Sequence, residues 1–202
     1  MRSCLRVVPA LALVALLAAC APVQMMGNSG MIAAQAAREK VLAGRDHWKL
    51  RAHLGVSDGE HGGSGTLIWE QDGERFSFTV RAPITGRSFR LTGGPDGAKL
   101  EGLDRGTVRG PDAQTLLAQV LGWRVPVKPL HDWVRGVRAG GADADAVLRF
   151  GGNGLPSVLK QDGWTIEYRG WYTNTSPALP RKVYAAHGDY HVRLSIRRWT
   201  LQ

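Results

Sequence analysis

"WKLRAHLGV", residues 48–56, places Trp48, Leu50, Ala52, Leu54 and Val56 on one side of an extended chain and Lys49, Arg51, His53 and Gly55 on the other. A period of two is the pleat of a β-strand with one apolar and one wet face. The same alternation returns in Phe76, Phe78 and Val80, in Phe89 and Leu91, in Trp164, Ile166 and Tyr168, and in Val192, Leu194 and Ile196. Gln71-Asp72-Gly73, residues 92–97 and Gln161-Asp162-Gly163 lie between such runs and read as short hairpin turns. Sequential strands joined by short turns make an antiparallel meander. At Arg197-Arg198 the parity slips before Trp199 and Leu201, which predicts a bulge in the last strand.

Two departures from this pattern are helical. Residues 31–43, Met-Ile-Ala-Ala-Gln-Ala-Ala-Arg-Glu-Lys-Val-Leu-Ala, have high helix propensity, with Asn28 or Ser29 as cap and Gly44 as stop. In mid-chain, residues 112–122 read as a helix capped by Asp112 and stopped by Gly122. After Val125-Pro126 a second helix places Leu130, Trp133, Val134 and Val137 at i, i+3, i+4 and i+7. The chain is therefore mainly β in an α+β sense, with about ten strands interrupted by a helical pair. A large curved sheet must cover its apolar face, and that pair is the available lid.

The amino terminus is of another kind. Arg2 and Arg6 precede the apolar run "LALVALLAAC", residues 11–20, and Leu17-Ala18-Ala19 is a small-residue cut site before Cys20. Residues 1–19 read as a secretory signal peptide, removed on export. Leu-Ala-Ala-Cys resembles a bacterial lipobox, in which the cysteine thiol receives diacylglycerol and becomes the acylated first residue. Two or more acyl chains hold a protein on a membrane stably. Residues 20–30 then form a lipidated tether and 31–202 a single domain. Ala21 stands where an inner-membrane retention signal would carry Asp, so the resemblance to such lipoproteins implies sorting to the outer membrane, with the body facing the periplasm.

Removal of the leader leaves 183 of 202 residues, enough for one domain with a sizeable core. Cys4 leaves with it, so the mature chain holds one modified cysteine and no internal disulfide. The charge of +9 falls to +7 once Arg2 and Arg6 are gone. Export and the dispersal of Arg81, Arg87, Arg90, Arg105 and Arg109 argue against nucleic acid as partner, and leave a basic surface or an anionic lipid or acidic partner.

Catalytic templates find no match. Ser64 lacks the glycine and the strand-turn-helix setting of a nucleophile elbow. His187 and His191 flank Gly188-Asp189, a hairpin turn rather than the helix of a zinc site, so no metal is expected. His53 and His131 read as surface residues. Gly62-Gly63 and Gly151-Gly152 do not open helices, and Asp143 and Asp145 sit in a loop with no other sign of an active site. No enzyme activity and no cofactor are expected.

The ordered series "LIWEQDGERFSFTV" (67–80), "APITGRSFRLTG" (82–93), "LGWRVPVKPLHDWVRG" (121–136), "GWTIEYRGW" (163–171), "PALPRK" (177–182) and the final "IRRWTL", spread over the whole mature chain, resembles the LolB family of outer-membrane lipoprotein insertion factors. The resemblance implies an open antiparallel β-barrel closed by short helices around an apolar cavity for acyl chains. It implies a receptor, expected to be a monomer, that takes client lipoproteins from the periplasmic carrier LolA and inserts them into the inner leaflet of the outer membrane. A LolA-type carrier shares the architecture but lacks its own lipid, so Cys20 separates the two. A lipid-anchored envelope-assembly module with a filled core is the other reading.

The candidate cavity residues are Trp48, Trp69, Phe76, Phe78, Leu130, Trp133, Trp164 and Ile166, a stripe that either lines free volume or fills a core. In "VRAPITGRSF", Pro83 sets the backbone and Gly86 permits a tight turn, leaving Ile84 at the tip. Ile84 either folds back on the sheet or dips into the bilayer. The resemblance implies the second, because family members carry a bulky apolar residue after this proline in a membrane-insertion loop.

Overall fold

The computed structural model describes residues 24–82, 88–104, 106–141 and 144–201. The segment that opens the sequence reading is the middle of β2 (His47–Ser57), in which exposed and buried residues alternate over its first eight positions. It pairs along its full length with β3 (Gly62–Asp72) and with the final strand, β14 (Tyr190–Leu201). The first and last long strands are thus neighbours, and two meanders meet at their seam. On one side follow β4 (Arg75–Arg81), β5 (Ser88–Gly94), β6 (Gly97–Leu103) and β7 (Gly106–Gly110). On the other lie β13 (Lys182–His187), β10 (Trp164–Tyr168), β9 (Pro156–Gln161), β8 (Val147–Phe150) and, at the edge, β1 (Met25–Met26). All pairings are antiparallel, and the sheet is not closed.

Twelve strands stand in this sheet where the alternation suggests about ten. The surplus comes from short strands, such as two-residue β1, whose pairing is imposed by a neighbour rather than by a period. A separate ribbon joins β11 (Trp171–Tyr172) to β12 (Leu179–Pro180). The bulge expected at Arg197-Arg198 is present: the β14–β2 register shifts between Ile196 and Arg198. In the segment read as tether, Met25 and Met26 already pair with Phe150 and Arg149. Cys20 and the signal peptide lie outside the described residues, as do Pro83, Ile84, Gly86 and Asp143.

Among the described residues, three helices accompany the sheet. α1 (Ser29–Ala43) is capped by Asn28, whose Oδ1 accepts from Met31 N–H at 2.9 Å. α2 (Ala113–Leu121) has both expected ends. Asp112 Oδ1 accepts from Thr115 N–H at 2.8 Å, and Gly122 adopts φ 72°, the left-handed conformation that only glycine takes without strain. The Thr115 N–H holds the Asp112 carboxyl below the usual carboxylate range. Replacing Asp112 by alanine is expected to cost about 1 kcal/mol, measured as a shift in the denaturant midpoint at constant slope.

α3 (Val127–Trp133) ends earlier than the i, i+3, i+4, i+7 pattern suggests. Gly136 turns the chain with φ 73°, and a Cβ there would stand 2.4 Å from the Trp171 ring. Val137 therefore leaves the helical face and packs with Leu42 and Leu179 in a small second cluster. Leu130, Trp133 and Val134 stay in the main core as expected.

Candidate functional site

The concave face of the sheet carries the inward residues of each alternating strand, and α2 and α3 cover part of it. Leu116 and Leu117 of α2 and Leu130 of α3 are buried against the same core as Leu54, Leu67, Phe78 and Leu194. Packing is incomplete there. A cavity of about 50 Å³ remains, lined only by apolar side chains, among them Leu54, Leu67, Phe78, Leu117, Trp123 and Leu130. With no polar partner on its wall, such a space suits an apolar guest rather than ordered water.

Trp69 also borders a wider cleft of about 680 Å³, running between the β3–β4 and β5–β6 turns and the first turns of α2 and α3. Phe76, Val127 and Gly93 give it apolar surface, while Gln71, Glu74, Lys128 and Asp132 give it a polar rim. Gln71 is buried and fully used: its Oε1 accepts from Trp69 Nε1–H at 2.9 Å and its Nε2 donates to the Gly73 carbonyl at 2.8 Å. This clamp sets the Trp69 ring between cavity and cleft.

The eight cavity candidates separate into two groups. Trp69, Phe78 and Leu130 line the cavity, and Phe76 lines the cleft. Trp69 and Phe78 meet edge to face at 4.5 Å between centroids. Trp48 is packed behind Trp69 at 4.9 Å and adjoins the C-terminal Trp199 at 5.5 Å. Trp133, Trp164 and Ile166 form the other half of the core. There Gln161 Oε1 accepts from Trp133 Nε1–H at 2.9 Å and from Ala139 N–H at 2.9 Å.

Other residues line the cavity as well. Leu54, Val56, Leu67, Val80, Val192 and Leu194 sit at inward strand positions, where alternation does not distinguish a cavity wall from packed core. Trp123 and Val125, in the connection between α2 and α3, have no periodic signal. Trp123 is placed by an edge-to-face contact with Phe89 at 5.8 Å.

His131 is a correction. It reads as a surface residue, but its ring stacks on buried Trp48 at 5.6 Å, with Nδ1 3.1 Å from Asp132 Oδ1 and 3.2 Å from Arg135 Nη2. Helical rotation sets α3 with this face toward the sheet, which the apolar positions alone do not reveal. His53 is exposed, and His187 and His191 flank a β-turn, both as expected.

α1 and α3 are held by buried charge. α1 turns Gln35, Arg38, Glu39 and Leu42 inward. Arg38 donates through Nη1 to the Gly136 carbonyl at 2.7 Å, and through Nη2 to the carbonyls of Arg135 at 2.5 Å and Ala178 at 2.8 Å. Burial lowers its pKa to about 10, still far above neutrality, so it stays a cation. Arg135 reaches back to the carbonyls of Leu42 at 2.8 Å and Arg45 at 3.1 Å and pairs with Asp132 at 2.7 Å. Glu39 and Arg138 form a two-pronged ion pair, with one contact at 2.6 Å. Tyr168 donates its hydroxyl to the Trp133 carbonyl at 3.0 Å, and burial raises its pKa. This network fixes the end of α3, while α2 rests on β5–β7 through apolar contacts.

Residues 46–199 match the family model described as outer membrane lipoprotein LolB. The chain is 40% identical over 172 residues to the outer-membrane lipoprotein LolB of Xanthomonas axonopodis pv. citri (strain 306), covering 83% of this chain and 79% of that one. It is 33% identical over 198 residues to the outer-membrane lipoprotein LolB of Pseudomonas fluorescens (strain Pf0-1), covering 96% of both. An open antiparallel sheet with an apolar hollow under short helices, matched over most of its length, belongs to the LolB family of outer-membrane lipoproteins.

Proposed function

We propose that this protein accepts lipoproteins from a LolA-type periplasmic carrier, shelters their acyl chains beneath the α2–α3 lid, and inserts them into the inner leaflet of the outer membrane. The observation that carries this reading is the wholly apolar cavity left between the sheet and the lid. At about 50 Å³ it is well below the roughly 300–1,000 Å³ of an occupied ligand pocket. An acyl chain therefore enters only as the lid gives way. α2, which among the described residues rests on the sheet through apolar contacts, is the part free to do so. No covalent step is required. Transfer runs downhill if acyl chains are held more tightly here than on the carrier and more tightly still in the bilayer.

The test is transfer itself. Loaded carrier is mixed with outer-membrane vesicles that contain or lack this protein. Delivery that depends on it supports the proposal. Delivery that does not, together with normal lipoprotein placement on depletion in the native host, refutes it in favour of the filled-core module.

Two variants test the ends of the pathway. Cys20→Ala is expected to block lipid attachment and cleavage by the lipoprotein route, seen by intact mass; a processed, acylated variant would contradict it. Ile84→Glu is expected to leave folding and acceptance from the carrier intact but reduce delivery at least tenfold, since a charge replaces about 1.5–3 kcal/mol of apolar burial in lipid. Normal delivery by the folded variant would make Ile84 a turn residue only.

A further inference from the structure

The four large apolar side chains most exposed among the described residues are Met26, Ile32, Val41 and Val147. Two of them, Met26 and Val147, share the β1–β8 edge. Met26 is 69% exposed and is the cross-strand partner of Arg149, so the two share a face, and Val147, 51% exposed, lies two residues along on that face. Lys160 stands opposite Val147 on β9 and is exposed. Apolar tips thus alternate with two cations.

The position of this edge along the chain says what faces it. Met26 follows Cys20 by six residues. At 3.3–3.6 Å per residue, a chain of that length reaches about 20 Å at most. A domain of this size is about 40 Å across, so the β1–β8 edge is confined to the half of the body next to the anchor. Exposed apolar side chains beside basic ones match a bilayer interface with anionic headgroups.

We propose that Met26, Val147, Arg149 and Lys160 form a lipid-docking face that seats the domain against the same leaflet that holds its anchor. Met26 and Val147 enter the headgroup layer, and Arg149 and Lys160 meet lipid phosphates. The proposal rests on lipidation of Cys20 and adds to the transfer reading a fixed orientation of the body.

The experiment uses the mature lipidated protein in phosphatidylethanolamine–phosphatidylglycerol vesicles. With Cys4 removed and Cys20 in thioether linkage, Val147→Cys supplies a single thiol for an environment-sensitive nitrobenzoxadiazole label. His53→Cys, on the exposed side of β2 and five strands from β8 in the sheet, is the control. The expected result is a blue shift and rise in emission at position 147 but not at 53. Combining Arg149→Glu with Lys160→Glu, or omitting phosphatidylglycerol, should reverse it. Flotation with vesicles while the label at 147 stays aqueous overturns the docking face and leaves the anchor standing. Equal shifts at both positions also overturn it. A mature chain without acyl mass at Cys20 overturns the anchor and the docking face together.

Discussion

Arg38→Met is expected to destabilise the domain by about 4 kcal/mol, the combined cost of the backbone carbonyls it leaves without a donor. The guanidinium satisfies the carbonyls of Arg135, Gly136 and Ala178 at once. Gly136 keeps a donor in Gln35 Nε2 at 3.0 Å, but the buried Arg135 carbonyl and the half-buried Ala178 carbonyl lose theirs. Each orphaned group costs about 1–3 kcal/mol. Burial lowers the guanidinium's pKa to about 10, so the desolvation relieved by its removal offsets part of this loss. Arg38→Lys keeps the charge but offers no planar fork, and should lie between variant and parent. Urea denaturation of the three proteins measures this; a loss below about 1 kcal/mol for methionine would show that water replaces the guanidinium.

Val192→Phe is expected to abolish acyl binding without unfolding the protein. Val192 lines the apolar cavity from β14, and a phenyl ring added there fills volume that is now empty. Over-packing a filled core costs typically 1–3 kcal/mol, whereas filling a void costs less. Saturable binding of a fluorescent fatty-acyl probe should fall at least tenfold, with a change in stability under about 1 kcal/mol. Unchanged probe binding would place the acyl site elsewhere. A large loss of stability with no probe binding by the parent would favour the filled-core module. Asp112→Ala loosens the start of α2 and serves as the converse, easing the lid without touching the cavity wall.

Local features were legible from the chain alone. Alternation over 48–56 determined β2 and the inward set Trp48, Leu50, Ala52, Leu54 and Val56, because strand geometry repeats every two residues whatever lies across the sheet. Asp112 and Gly122 determined both ends of α2, since caps are satisfied within a few residues. The slip in parity at Arg197-Arg198 determined the bulge. Ordered motifs also carried the family, because a family's pattern is itself written in sequence.

Tertiary structure decided the rest, and each case turns on a partner far along the chain. Helix propensity predicts α1 but not that it buries Gln35, Arg38 and Glu39. Arg38 is tolerable inside only because carbonyls 97, 98 and 140 residues away point at it. α3 stops at Trp133 because the chain turns at Gly136, where the Trp171 ring leaves no room for a Cβ. His131, half-buried at the cleft, is placed by Trp48 and Arg135. Period two tells which strand residues face inward but not which of them border empty space. Trp69 and Phe78 line the cavity while Ile166 is wholly packed, a difference set by how far α2 and α3 fall short of filling the curved sheet. Free volume is a remainder left by many side chains at once, and no single stretch of sequence encodes it.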